Sequence, residues 1–313
     1  MQAVTVVKSS NAVDNSNLFS DVLVSRWLKF AGVADKSVAT YSIAIRQLFK
    51  YFRDNEIVNP KREDLENWRD GLIDGGKSAA TIQLYLTSAK IFFRWLSMEN
   101  IYPNVADHLK NRVKISGDHK KDALNAEQSA QLLKAITGDS VKSKRDRAIV
   151  ALLLTAGLRT IEICRADVGD IRNGFLFVLG KGRSEKTESV KLAAPVQNLI
   201  ADYLKSRGKV DNTDPLFTST SNRCKSARLD TQTVRKLVKT LLRGIGLDSD
   251  KLTAHSLRHT AALQMLLNGA KLEQVQQVLR HRSLNTTMIY NHSIERMKNN
   301  AEDLAANAIF SAL

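Results

Sequence analysis

The residues best suited to chemistry cluster near the C-terminal end, in Thr253–His292, TAHSLRHTAALQMLLNGAKLEQVQQVLRHRSLNTTMIYNH. His255 and Arg258 stand three apart at the start of an apolar-periodic helix, His281 follows a second helical run, and Tyr290 lies nine residues further on. A guanidinium binds phosphate oxygens as a two-pronged fork. An imidazole exchanges protons near neutrality, and a phenol is one of the groups that form covalent intermediates. Brought together, they would make a site for an anionic, tetrahedral reaction centre with the phenol as nucleophile. Two more cations lie upstream: Arg159 in AGLRTIEI, and Lys181 between glycines in LGKGRSEK. Alone, a His-x-x-Arg pair or a tyrosine says little, since exposed surface and core packing use both; the ordered set carries the argument.

The elements that must position these groups are mostly helical. In the first hundred residues, Leu18–Phe30 reads as an amphipathic helix and Asp35 opens a second. A third covers Arg62–Ile73 and stops at Gly75-Gly76. Ser78 caps a fourth, which carries Ile82, Leu86, Ala89, Phe93 and Leu96 on one face. Further on, Asn125 and Gln128 form a capping box before Ala126–Ile136. Helices follow over Lys142–Ala156, closed by Gly157, and over the short stretch after Arg159. Asn173-Gly174 is a hairpin signal, and Phe175–Leu179 and Ser189–Leu192 read as strands around Lys181. Helices from Pro195 to Arg207 and over Thr231–Arg243 lead back to the C-terminal block. The expected fold is therefore mainly α with a small β-hairpin (α+β). Residues 1–17 read as a disordered N-terminus, 18–103 as a four-helix bundle and 104–122, with its basic NRVKISGDHKKD, as a linker; 123–313 reads as a second domain ending in a helix over 294–313.

At 313 residues the chain suits two domains. Lys and Arg total 47 against 32 Asp and Glu, a net charge of +15 that attracts polyanions, nucleic acid first among them. Cys164 and Cys224 lack any metal-ligand spacing and read as free thiols in a reducing compartment. No stretch has the form of a signal peptide or a membrane span, so a soluble, cytoplasmic protein is expected.

The boxes AGLRTIEI, LGKGRSEK, HSLRHT and LRHRSLNTTMIY, in that order, resemble those of the tyrosine site-specific recombinases, the integrase family. The preceding bundle is similar to that family's core-binding domain. With about seventeen residues before the first helix, an arm-binding domain is not expected, as in the two-domain recombinases of the Xer or Cre kind. The resemblance implies that Tyr290 attacks a phosphodiester to leave a 3′-phosphotyrosyl link and a free 5′-hydroxyl, without metal, ATP or other cofactor. It implies that Arg159 and Arg258 clamp the non-bridging oxygens and that His281 adds a hydrogen bond. His255 would accept the phenol proton, Lys181 would protonate the leaving oxygen, and Glu162 would orient other site groups. Where the family often has glycine before the second histidine, this chain has Arg280, read as a DNA-backbone contact beside Arg282, Lys120, Lys121 and Arg183. The partners implied are double-stranded DNA and further copies of the chain, in dimers and tetramers joined through the C-terminal helix, on which Met297, Ala301, Leu304, Ala308 and Ile309 share a face. Two alternatives stay open at this point: a type IB topoisomerase-like nicking-closing enzyme, and a catalytically silent DNA-binding protein on the same scaffold.

Overall fold

The computed structural model describes residues 19–30, 35–113, 122–180, 185–221, 226–281, 283, 287–288, 290 and 301–311. Residues 1–17 and 114–121, read above as disordered terminus and linker, lie outside them, as do Cys224 and Met297. The chain divides into two units, Met1–Ser116 and Gly117–Leu313.

In the first unit, apolar residues at helical spacing form α1 (Asp21–Phe30), α2 (Asp35–Asp54), α3 (Arg62–Asp74) and α4 (Ala79–Met98). The Ser78 hydroxyl accepts the Thr81 amide at 3.2 Å and so satisfies one of the orphan donors at the start of α4. Val24 and Trp27 from α1, Ile45, Leu48 and Phe49 from α2, Leu65 and Trp68 from α3, and Phe92 and Phe93 from α4 close one core. The aromatic rings meet edge to face, as in Trp27–Phe92 at 5.3 Å and Phe49–Phe92 at 5.6 Å. The first half of the stretch read as linker is packed rather than free. Ala106 and Leu109 are buried in this core, the Lys110 carbonyl accepts from buried Arg69, and the Asn111 amide donates to the Ala79 carbonyl. Two small apolar residues in a polar stretch were too weak a pattern to announce this.

The second unit is built round α6 (Val141–Thr155), whose residues Ala148 to Leu154 are all buried. A helical stretch that is apolar on every side, as the second half of α6 is, belongs in the interior, and α6 packs against α8 (Ala194–Arg207) and α10 (Ala254–Leu267). α5 (Ala126–Lys134) precedes it, with the Asn125–Gln128 capping box formed in both directions. α7 (Thr160–Arg165), a 3₁₀ turn over Val168–Asp170, α9 (Thr231–Gly244), α11 (Leu272–Leu279) and α12 (Ala301–Phe310) follow, and Thr287, Met288 and Tyr290 are also helical. The sheet is an antiparallel meander of β1 (Ile171–Arg172), β2 (Phe175–Val178) and β3 (Glu188–Lys191). Asn173 and Gly174 both take positive φ, 50° and 78°, which sets the tight β1–β2 turn. In β2–β3 the register pairs Leu176 with Val190 and Val178 with Glu188. The two-residue β1 is too short to show alternation, so the sequence suggested only its turn. The base of the β2–β3 hairpin is pinned by Lys186, whose ammonium donates to Asp167 at 2.6 Å and to Asp170 at 2.5 Å.

Gly157 decides how closely α6, α10 and α11 approach. Its φ is +57°, and a Cβ there would stand 2.6 Å from Leu279 Cδ2, on α11. Backbone strain and overpacking therefore act together in Gly157→Ala, which should destabilise the unit by about 1–3 kcal/mol. An unchanged midpoint in urea unfolding would show that neither constraint operates.

Candidate active site

Arg159 is the N-cap of α7, with extended backbone angles. Its amide donates to Glu162 Oε2 and its Nη1 to Glu162 Oε1, each at 2.7 Å. The spacing of three between Arg159 and Glu162 is that of a capping box. Arg280 Nη2 approaches the same carboxylate at 2.7 Å from the end of α11. Burial by itself would raise the Glu162 pKa, but Arg280 and Arg159 outweigh it and hold the carboxyl below the usual carboxylate range.

Arg258 projects from the first turns of α10 and is only 2% exposed. Its Nη1 donates to the Gly157 carbonyl and its Nη2 to the Leu279 carbonyl. One guanidinium thus ties the end of α6 to the end of α11. Burial and the neighbouring Arg159 push its pKa down to about 9, against the pull of Glu162 and Tyr290. It remains a cation at neutral pH.

His281 follows Arg280, which holds a left-handed backbone at φ 54° and ends α11. His281 Nδ1 lies 3.0 Å from the Thr287 hydroxyl, and the Gln276 amide donates to the His281 carbonyl at 3.1 Å. Burial, then the charges of Arg258, Arg159, Arg280 and His255, lower its pKa to about 4. The imidazole is neutral at physiological pH, and its electrostatic neighbours come from three separate sequence boxes. His255 itself is exposed on the first turn of α10.

Tyr290 is 3% exposed and packs with Ala262, Leu266, Val275 and Leu279. Its ring centroid stands 4.7 Å from that of His259. Burial raises the phenol pKa while the Arg258 charge opposes the rise. The second unit thus gathers Arg159, Glu162, His255, Arg258, His281 and Tyr290. Lys181, Arg183, Lys120, Lys121 and Arg282 lie outside the described residues.

Arg280 departs from the expectation of a DNA-backbone contact. Its side chain is 5% exposed and paired with Glu162, so in this conformation it is an internal ion-pair partner. Sequence reasoning also passed over His259 and Thr287. Their only signals were position: His259 lies one helical turn after His255, and Thr287 lies one turn before Tyr290.

Residues 122–297 match the phage integrase family, and residues 24–100 match its N-terminal SAM-like domain. The chain belongs to the phage integrase family. Among curated relatives of this integrase, it is 32% identical to tyrosine recombinase XerC of Corynebacterium glutamicum over 244 residues, 76% of this chain and 75% of that one. It is 30% identical to tyrosine recombinase XerA of Pyrococcus furiosus over 277 residues, covering 87% and 90% of the two chains. In fold it is similar to the XerH site-specific recombinase in a crystal structure described as a post-cleavage complex with its palindromic difH substrate; the TM-score is 0.70 at 23% identity, over 91% of this chain and 84% of that one. Among the described residues of the integrase no helix is long and apolar enough to cross a membrane.

The half-buried imidazole has a consequence for stability. Its folded pKa of about 4 lies below the ordinary 6.5, so between those values the unfolded chain binds a proton that the folded chain does not. The His281 contribution to stability should therefore be complete above pH 6.5 and fall as pH drops toward 4. Urea titrations across this window should show a steeper loss in the parent chain than in His281→Gln. Equal slopes would contradict a neutral, half-buried His281.

Proposed function

We propose that this chain is a site-specific DNA recombinase that cleaves and rejoins strands through a 3′-phosphotyrosyl intermediate on Tyr290, acting in integration, excision or resolution. The observation that carries the reading is the convergence of buried Arg258 with Arg159, His281 and Tyr290 at one cationic corner of an integrase-family domain. In the proposed step the Tyr290 oxygen forms a bond to phosphorus and the bond from phosphorus to the 5′-oxygen breaks. The phenol proton passes to His255, and Lys181 supplies the proton that the departing oxygen takes. Arg159 and Arg258 meet the charge that grows on the non-bridging oxygens. With the Thr287 hydroxyl donating to Nδ1, His281 keeps its proton on Nε2 and donates it to the same oxygens. Rejoining is the reverse, with a 5′-hydroxyl of another strand as nucleophile, so the phosphoester bond energy is retained.

The partner is double-stranded DNA, to which the net charge of +15 is suited. Residues 18–103 and 123–313 both contact it, and the reaction takes place in the cytoplasm. Tyr290 is buried, so the proposed attack requires the phenol to move out to the phosphodiester.

A nicked suicide duplex, its site first selected by covalent trapping from a random library, tests the reading. The parent chain should form a denaturation-resistant adduct, and Tyr290→Phe should form none while keeping its DNA affinity within about threefold, since only one hydroxyl is removed. An adduct that survives the substitution would refute the assignment.

Assembly follows from the C-terminal helix. Leu304, Ile309 and Phe310 on α12 are exposed, and an exposed apolar set of this kind suits docking into a second copy. Deleting residues 301–313 should spare binding to one half-site and abolish cooperative filling of the second in titrations of a two-half-site duplex. Unaltered cooperativity would place the helix against its own domain.

A further inference from the structure

We infer that Arg280 is a positioning residue for strand cleavage, seating the Glu162 carboxylate so that Glu162 in turn holds Arg159 at the reaction centre. The inference rests on the recombinase reading and adds to it a residue whose side chain is turned inward onto Glu162.

Three observations converge on it. Arg280 ends α11 with φ 54° and ψ 47°, a conformation that side chains other than glycine adopt infrequently. A large side chain there calls for a compensating contact. It has one: the side chain turns inward, 5% exposed, with Nη2 at 2.7 Å from Glu162 Oε2. Glu162 is the junction. Its two oxygens accept the Arg159 amide, the Arg159 guanidinium and the Arg280 guanidinium, all at 2.7 Å. With Arg280 gone, burial would favour the protonated acid, which cannot accept the two Arg159 bonds equally well.

The third observation links Arg280 to the hairpin. Arg280 Nε is buried without a hydrogen-bond partner and lies 3.9 Å from Glu188 Oε2 on β3. The Glu188 carboxyl in turn fills the space where Gly180 lacks a Cβ, which would fall 2.7 Å from Glu188 Cδ. Gly180 directly precedes Lys181. One guanidinium therefore stands between a carboxylate at the start of α7 and another at the hairpin base. Among the described residues, the charged and titratable groups around Glu162 and Arg280 are Arg159 from the N-cap of α7, His281 beside Arg280 at the end of α11, Arg258 from α10 and Glu188 from β3.

The test pairs a DNA-free readout with a kinetic one. Arg280→Met keeps length and removes charge; Arg280→Lys keeps charge. Carboxyl carbon NMR on glutamate-labelled protein, with Glu162 assigned from Glu162→Gln, should show its titration moved to higher pH in Arg280→Met and partly restored in Arg280→Lys. Adduct formation on the suicide duplex should fall about tenfold to a hundredfold in Arg280→Met, the scale of a displaced catalytic group. The acid limb of its pH profile should shift upward with the Glu162 titration. The double variant Glu162→Gln/Arg280→Met should be no slower than Glu162→Gln alone, because Arg280 acts through that carboxylate. Its neutral pair also serves if Arg280→Met does not fold. A Glu162 titration unmoved by Arg280→Met, or losses that multiply in the double variant, would overturn the inference. Absence of any adduct from the parent chain would instead sink the recombinase reading, while the NMR titration still decides whether Arg280 seats Glu162.

Discussion

The site depends on a buried guanidinium. Arg258 sits almost out of water and donates to the carbonyls that end α6 and α11. Burying a charge is costly unless its donors are used and an opposite charge is near. Gly157 makes the first bond possible, because its positive φ and missing Cβ let Leu279 and Arg258 close on it. Glu162 supplies the opposite charge, yet it is shared with Arg159 and Arg280. The corner is left with a surplus of positive charge, and a phosphate is the group that would relieve it.

The same surplus fixes the state of the neighbours. It joins with burial to keep His281 neutral, and the Arg258 charge opposes the rise in the Tyr290 pKa. A buried phenol is a poor nucleophile, however, and Tyr290 is held among Ala262, Leu266, Val275 and Leu279 with His259 against its ring. The arginines converge at one corner, whereas the Tyr290 phenol is buried beside it.

Most of the helical scaffold could be read from the sequence because periodicity and caps are local. Ser78 and Asn125 start α4 and α5 by hydrogen bonds to amides three residues on, and Asn173-Gly174 announces its own turn. The long-range pairings could not be read. Arg280 and Glu162 are 118 positions apart; the glycine that the family often has at this position hints at the left-handed backbone, but nothing in the sequence names the carboxylate that Arg280 turns toward. His259 and Thr287 had the same difficulty: each is ordinary in sequence and gains meaning only where α10 meets the Tyr290 segment. Ala106 and Leu109 entered a core through two contacts that no pattern foretells.

The central claim is chemical, a particular oxygen on a particular phosphorus with a particular polarity. Trypsin and nuclease digestion of the trapped complex followed by fragmentation mass spectrometry reads it directly. The expected product is the peptide Ser283–Arg296 carrying a nucleotide on Tyr290 through its 3′-phosphate, with a 5′-hydroxyl on the released strand. A nucleotide on any other residue, or a 5′-phosphate link on Tyr290, would contradict the mechanism.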